Sequence, residues 1–235
     1  MADRHVGRPP VRLALVFYGA TTAAAIIWGV LAGRPLLWTA GTSWARASLG
    51  ALVGLGLGLG VVGLSRLAVR RLVWARELNV WFGSLLGPLS TGDCLALAAL
   101  SAVGEELLFR GAMQPTLGLI LTTVLFGLAH VPPRVRYLPW TIAAAVLGLA
   151  FGVLAQHGGS LAGPIVAHFV VNALNLVQVA RTVAARDRPD QEPAPQENLP
   201  GSRLLPSIDL HETPHDPCPP RGEPGSPRGD GDSNR

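Results

Sequence analysis

A short apolar stretch of the chain carries two adjacent carboxylates and an arginine. The sequence SAVGEELLFRGAMQ, residues 101–114, places Glu105, Glu106 and Arg110 among Ala, Val, Leu and Phe. On a helix, Glu106 and Arg110 lie on one face with the acid N-terminal, so they can neutralise each other. Glu105 points about 100° away around the helix axis and has no local partner. It is free to act as a general base or to pair across helices.

Two later apolar segments carry polar side chains one helical turn apart. Phe126 and His130 occur in FGLAH, and His168 and Asn172 occur in HFVVN. His130 could be a base or could hold a water for Glu105, whereas His168 and Asn172 suit a substrate carbonyl or a developing oxyanion. Each side chain could also simply link helices by hydrogen bonds. Their joint occurrence favours chemistry, because ionisable groups inside a membrane are functional hypotheses by default.

The elements that must position these groups are hydrophobic. Hydrophobic types make up 49% of the 235 residues, charged types 14%, and the mean hydropathy is +0.36. This composition predicts an all-α, polytopic integral membrane bundle. Apolar windows near the roughly 17 to 25 residues needed to cross a bilayer indicate about six transmembrane helices, at 13–32, 48–64, 93–113, 116–131, 138–156 and 160–180.

A shorter apolar segment, 79–89, contains Trp81 and Phe82 and is typical of the membrane interface. We expect Thr91 or Asp93 to cap the helix that follows it. The basic start of the chain could belong to a signal peptide. The first apolar run is about span length and has no clear cleavage site, however, so we expect an uncleaved first helix.

Arginine supplies all 19 basic residues and gives a formal net charge of +4. The basic excess lies among the hydrophobic segments, so it argues against a nucleic-acid partner and for a role in topology. Arginines cluster before the first predicted span and after the second, fourth and sixth, on one side of the membrane. We therefore expect both termini to be cytoplasmic, in what would be a bacterial inner membrane.

Composition divides the chain into a transmembrane domain, 1–180, and a cytoplasmic tail, 181–235. The tail is rich in Pro, Gly, Asp and Arg, which predicts disorder. It contains HETPH, residues 211–215, which fits a zinc-protease pattern that requires a helix. Pro214 lies inside this pattern, so we do not expect a metal site there. Cys94 and Cys218 are too few for a disulfide framework, and we expect both to be free thiols.

The stretch GLGLGVVG, residues 56–63, contains the spacing of a dinucleotide-binding loop. Such a loop needs a preceding strand and a following helix in a soluble unit, and neither is predicted here. The pairs Gly54 with Gly58 and Gly56 with Gly60 instead form small faces that allow transmembrane helices to approach closely. We interpret the glycines as packing residues.

Three motifs together resemble those of the CAAX-protease and bacteriocin-processing family, also called CPBP or Abi, of intramembrane glutamic endopeptidases. They are Glu-Glu-x-x-x-Arg at 105–110, Phe-x-x-x-His at 126–130 and His-x-x-x-Asn at 168–172, in the family's order. The resemblance covers residues 102–176, within a protease core expected at about 92–180.

The resemblance implies an all-helical enzyme that cleaves a peptide bond of a membrane-associated peptide or protein within or beside the bilayer. Glu105 would activate water with the help of His130, and His168 and Asn172 would stabilise the oxyanion. Glu106, Arg110 and Phe126 would support the geometry of the site. No cofactor is expected, and the lipid bilayer is the expected surrounding.

Two alternatives stay open at this point. One carboxylate and two imidazoles could also form a zinc site with an open position, which would make the protein a metalloprotease. The polar groups could instead belong to a non-catalytic scaffold, immunity factor or transporter, although no internal repeat of the transporter type occurs.

The spacer between Arg110 and Phe126 is short for the family. Its length decides whether Glu105 and His130 can lie close together. If the chain turns at Gln114 and Pro115, Glu105 and His130 differ in height by roughly 10 Å. Tilt, or a turn several residues beyond Pro115, would bring the two side chains together.

Overall fold

The computed structural model of the protein describes residues 9–33 and 43–186. Within these ranges the chain is helical and contains no β-strand, which confirms the predicted fold class. A π-helical stretch, Leu107–Met113, follows α4, and a 3₁₀ turn, Val135–Tyr137, precedes α7. The helices are α1 (Pro9–Leu31), α2 (Trp44–Arg71), α3 (Val73–Leu86), α4 (Thr91–Glu106), α5 (Gln114–Leu117), α6 (Leu119–Ala129), α7 (Leu138–Gly158) and α8 (Ala162–Arg186).

Four helices in the described ranges, α1, α2, α7 and α8, are long and apolar enough to cross a membrane. A fifth span results if α3 and the run from α4 to α5 count as one element, bent by 101°. The span predicted at 116–131 is α6, whose 11 residues fall short of the roughly 17 required. Large apolar side chains such as Leu13, Leu52 and Ile142 point outward. Because such surfaces suit lipid and not water, the chain is an integral membrane protein.

Helices α2 and α8 pack closely because glycines remove the side chains between them. A Cβ atom on Gly54 would lie 2.9 Å from the carbonyl carbon of Gly163. One on Gly58 would lie 3.0 Å from the carbonyl oxygen of Ala167. The packing role expected for this pair of glycines is therefore confirmed. Around Gly56 and Gly60, in contrast, no described atom would lie within 4 Å of an added Cβ, so this second face is not used between helices of the described fold.

The chain bends sharply, by 101°, between α3 and α4. Gly87 ends α3 with φ at +66°, a conformation that glycine adopts without strain. Ser90 caps α4, and Asp93 completes a reciprocal capping box three residues later. The expected cap, Thr91 or Asp93, is thus corrected to Ser90. Asp93 takes part at the third helical position, from which its carboxylate accepts the Ser90 backbone N–H at 2.9 Å.

A turn at Gly118 reverses the chain between the first two motifs. The chain stays helical from α4 through the π-helical stretch and α5, and Gly118 then turns it with φ at +82°. Helix α1 packs against both α4 and the π-helical stretch, and α8 packs against α4. This arrangement brings residues of the three motifs together, because His168 contacts Glu106 and His130 faces Glu105.

Several sequence predictions concern residues outside the described ranges. They are the disordered tail from 187 onward, the HETPH motif, Cys218 and the extreme N-terminus. Helix α8 continues through Arg186, so residues 181–186, which we assigned to the tail, lie in a helix.

Candidate active site

Glu106 and Arg110 form an ion pair in the protein interior. Arg110 Nη1 donates to Glu106 Oε1 at 3.0 Å, and the side chains are 1% and 0% exposed. The predicted pairing of these two motif residues is confirmed. Separating such a buried pair is costly, because the remaining charge loses both its partner and its water.

The Arg110 guanidinium is held from two further sides. It lies 4.2 Å from the ring centroid of Phe126, a cation–π distance, and its Nη2 donates to the carbonyl of Gly148 on α7 at 3.0 Å. A Cβ atom on Gly148 would come within 2.9 Å of the Phe126 ring. Phe126 therefore supports the ion pair, and Gly148 leaves the space in which both side chains fit.

Gln114, four residues after Arg110, also donates a side-chain hydrogen bond to a glycine carbonyl of α7. Its Nε2 donates to the carbonyl of Gly152 at 3.0 Å, and the side chain is buried. Arg110 and Gln114 thus both bind α7 through backbone carbonyls at glycines four residues apart. Sequence reasoning missed Gln114 because only its distant partner, Gly152, gives it a role.

His168 contacts the ion pair from α8. Its Nδ1 lies 2.8 Å from Glu106 Oε1, the same oxygen that accepts from Arg110. Because a carboxylate oxygen accepts, the imidazole carries its proton on Nδ1 in this contact. The structure therefore places His168 beside Glu106.

Asn172, one turn after His168, binds α4 and not the ion pair. Its Nδ2 donates to Ser101 Oγ at 2.9 Å, and the Ser101 hydroxyl donates to the carbonyl of Ala98. The amide keeps a second N–H for another acceptor. An oxyanion-binding role for His168 and Asn172 stays a prediction.

Glu105 and His130 face each other across the site. The distance between Glu105 Oε2 and His130 Nε2 is 3.8 Å, and the side chains are 13% and 21% exposed. The other ring nitrogen, Nδ1, lies 2.8 Å from the carbonyl oxygen of Phe126, which can only accept, so Nδ1 carries the proton. In the neutral ring, Nε2 then presents a lone pair to the carboxylate. Both facing atoms are acceptors, and they are too far apart for a direct hydrogen bond.

The position of the turn explains why these two side chains meet. The chain reverses at Gly118 and not at Gln114 and Pro115, so Glu105 and His130 lie at almost the same distance along the chain from the turn. The expected height difference of roughly 10 Å therefore disappears. A turn beyond Pro115, one of the two expected ways to bring the side chains together, is therefore confirmed.

Tyr18 on α1 also reaches the site. Its hydroxyl donates to Glu105 Oε1 at 3.2 Å, so the two oxygens of this carboxylate face different groups. Glu105 thus pairs across helices with Tyr18, which is one of the two uses that its lack of a local partner left open. Sequence reasoning missed Tyr18, which lies in an otherwise unremarked apolar helix and carries no motif.

No group of three His, Cys, Asp or Glu side chains in residues 9–33 and 43–186 has the arrangement of a metal-ligand set. His168, which the zinc alternative requires beside Glu105 and His130, has its Nδ1 on Glu106. The geometry therefore gives the zinc alternative no support from these three residues.

The site and the fold define a helical membrane protein with a carboxylate and an imidazole facing each other beside a buried ion pair. Comparison with known proteins shows that part of the chain is similar to a family. Residues 87–174 match the family model described as type II CAAX prenyl endopeptidase Rce1-like. This match contains all three motifs and confirms the resemblance to CAAX proteases over that segment.

A relative of the chain is the uncharacterized protein YpbD of Bacillus subtilis (strain 168). It is 33% identical over 98 residues, which are 40% of this chain and 50% of the relative. The chain thus spans about half the length of this curated relative. No solved structure matches the chain.

Proposed function

We propose that the protein is an intramembrane endopeptidase that hydrolyses a peptide bond of a membrane-associated polypeptide, with Glu105 as the general base. The observation that carries this proposal is the 3.8 Å separation of Glu105 Oε2 and His130 Nε2. One water molecule can donate its two hydrogens to two such acceptors. The match of residues 87–174 to a CAAX endopeptidase family supports the same reaction class.

The chemistry follows from the two acceptors. Glu105 takes a proton from the water as the water oxygen attacks the peptide carbonyl carbon, while His130 orients the water through Nε2. The carbonyl π bond opens to an oxyanion. When the tetrahedral intermediate collapses, the carbon–nitrogen bond breaks and the proton on Glu105 passes to the leaving amine. Glu105 is then ionised again in the resulting cycle.

The oxyanion needs a donor, and Asn172 and His168 differ in what they can offer. Asn172 has a second amide N–H beyond the one that binds Ser101. His168 has its Nδ1 proton on Glu106, so its Nε2 donates only when the ring is an imidazolium. We assign Asn172 as an oxyanion donor and His168 as a donor that depends on Glu106.

The ion pair would keep the site in place without touching the substrate. Glu106 holds Arg110 and His168 through one oxygen, and Arg110 holds Phe126 and the backbone of Gly148. The carbonyl of Phe126 in turn fixes the imidazole of His130. A continuous set of contacts thus links α4, α6, α7 and α8 around Glu105.

Substrate class and location are part of the same proposal. The substrate would be a membrane-associated peptide or protein, reached within or beside the bilayer. The exposed arginines in the last turn of α2, Arg70 and Arg71, and before α7, Arg136, would lie on the cytoplasmic side by the positive-inside rule. With the four long helices as the spans, both termini would then lie in the cytoplasm, in a bacterial inner membrane.

The decisive experiment compares protein termini in membranes from cells that lack the protein and are complemented with wild type, Glu105→Gln or Glu77→Gln. Glu77 is a matched control, because it is a partly exposed glutamate that pairs with Arg136 away from the site. We expect new termini with wild type and Glu77→Gln, and none with Glu105→Gln.

Other results would overturn parts of the proposal. Cleavage that survives in Glu105→Gln would remove this carboxylate as the base. Cleavage by purified protein that is lost with EDTA and restored by zinc would establish the metalloprotease alternative. If no termini depend on the protein, the non-catalytic alternative becomes the better account.

A further inference from the structure

Tyr18 contacts the carboxylate that the proposed reaction depends on. Its hydroxyl donates to Glu105 Oε1 at 3.2 Å, while Oε2 faces His130. We propose that Tyr18 is a positioning residue that holds the Glu105 carboxylate with one oxygen directed at the water site. This inference rests on the proposed function and deepens it, because it adds α1 to the elements that build the site.

The physical need for such a residue comes from the freedom of a glutamate side chain. The terminal torsion of Glu is broad, so nothing in the side chain itself fixes the carboxylate plane. Oε2 has no hydrogen-bond partner within the described ranges, which leaves the contact between Tyr18 and Oε1 as the hydrogen bond that orients the group. Losing this bond would let the carboxylate rotate away from His130.

A second observation at the same place supports the inference. Gly104, directly before Glu105, leaves room for Tyr18 on the surface of α4. A Cβ atom on Gly104 would lie 3.2 Å from Cδ1 of the tyrosine ring and 3.3 Å from its backbone oxygen. Such distances are tighter than ordinary contacts, so α1 approaches α4 this closely because residue 104 is a glycine.

Tyr18 also lines an apolar groove of about 420 Å³ between α1 and α4, together with Leu15, Thr22 and Val103. A residue at this position could contact a substrate instead of orienting Glu105. The two roles differ kinetically. A group that orients the base changes kcat, whereas a group that binds the substrate uniformly changes KM.

The first test is Tyr18→Phe, which keeps the ring that packs on Gly104 and removes only the hydroxyl. Tyr137→Phe is the matched control, because Tyr137 is the other tyrosine of the chain and its hydroxyl binds Arg136. With a substrate identified from the terminal-peptide comparison, we expect kcat to fall about tenfold to a hundredfold in Tyr18→Phe, the range for a hydrogen bond to a charged group. We expect unchanged KM, and full activity in Tyr137→Phe.

Gly104→Ala provides an independent variant that leaves both Tyr18 and Glu105 in the chain. The added methyl should displace the tyrosine ring and lower kcat in the same way. A change in KM with an unchanged kcat in Tyr18→Phe would assign Tyr18 to the substrate groove and overturn the inference. An unchanged kcat in both variants would do so too.

A readout without substrate separates this inference from the proposed function. A hydrophobic carbodiimide modifies carboxyl groups in apolar surroundings, and mass spectrometry gives the rate at Glu105. Loss of the Tyr18 donor should raise this rate several-fold in Tyr18→Phe and leave it unchanged in Tyr137→Phe. Equal rates would show that Tyr18 does not hold the carboxylate. If wild type cleaves nothing, the proposed function and the kinetic role of Tyr18 both fall, while the labelling rate still decides whether the contact exists.

Discussion

Two glycines on α2, only two residues apart, should respond in opposite ways to the same substitution. Gly54 faces α8, where an added Cβ would overlap the backbone of Gly163. At Gly56 no described atom would lie within 4 Å of the new methyl. Gly54→Ala should therefore force α2 and α8 apart, whereas Gly56→Ala should be tolerated.

The comparison isolates the packing contribution to the free energy of unfolding. Both substitutions replace a helical glycine by alanine, which favours the helix by about 0.5 to 1 kcal/mol. This gain cancels between the two variants. What remains is the cost of overpacking a close helix contact, about 1 to 3 kcal/mol. Backbone atoms of Gly163 cannot rotate aside as a side chain could, so we expect the upper part of this range.

Cys94 offers a way to measure the difference. It is a free thiol on α4 with no exposed surface, and the other cysteine of the chain, Cys218, can be replaced by serine. In purified Cys218→Ser protein, a maleimide that fluoresces on reaction with thiols reports thermal unfolding when Cys94 becomes accessible. The Gly54→Ala midpoint should lie several degrees below that of Gly56→Ala. Equal midpoints would refute the close packing of α2 on α8.

Other predictions concern the site and the tail. Glu106→Gln leaves Arg110 buried without its counterion, and the free energy of unfolding in the same thiol assay should fall by about 3 to 5 kcal/mol. An unchanged free energy of unfolding would mean that the pair is not buried. Gln114→Leu keeps the volume but removes the donor to Gly152, and should lower the free energy of unfolding by about 1 kcal/mol in that assay. Loss of cleavage in a variant that remains folded would give Gln114 a role in the reaction. Deleting the chain from Arg188 onward should leave proteolytic processing intact, and its loss would show that the tail recruits the substrate. Cleavage by purified protein should withstand EDTA, and sensitivity reversed by zinc would contradict a metal-independent mechanism.

Much of the fold and of the local pairing followed from the sequence. The helical class followed from long apolar runs, and the ion pair of Glu106 with Arg110 followed from their spacing on a single helix. These predictions depend on contacts between residues a few positions apart. The packing of Gly54 and Gly58 was also foreseen, because small residues four apart are a local pattern with one common use.

Contacts between distant residues were harder to foresee. Tyr18 and Glu105 are separated by two helices in sequence, α2 and α3, and nothing around Tyr18 marks it for a polar contact. The partner of His168 was missed for a similar reason, because its spacing with Asn172 indicates a shared face but not the helix opposite that face. The length of the α4 to α5 run depended on whether Pro115 ends a helix. Here it lies in the first turn of α5, where proline is tolerated.

Helix α6 ends at Ala129, and this end changes which group binds the carbonyl of Phe126. In a longer α-helix, the backbone N–H of His130 would occupy the carbonyl of Phe126. That N–H instead bonds to the carbonyl of Gly127 at 3.0 Å, and the Phe126 carbonyl accepts from the imidazole. The end of α6 therefore brings the imidazole of His130 against the carbonyl of Phe126, and this contact turns Nε2 toward Glu105.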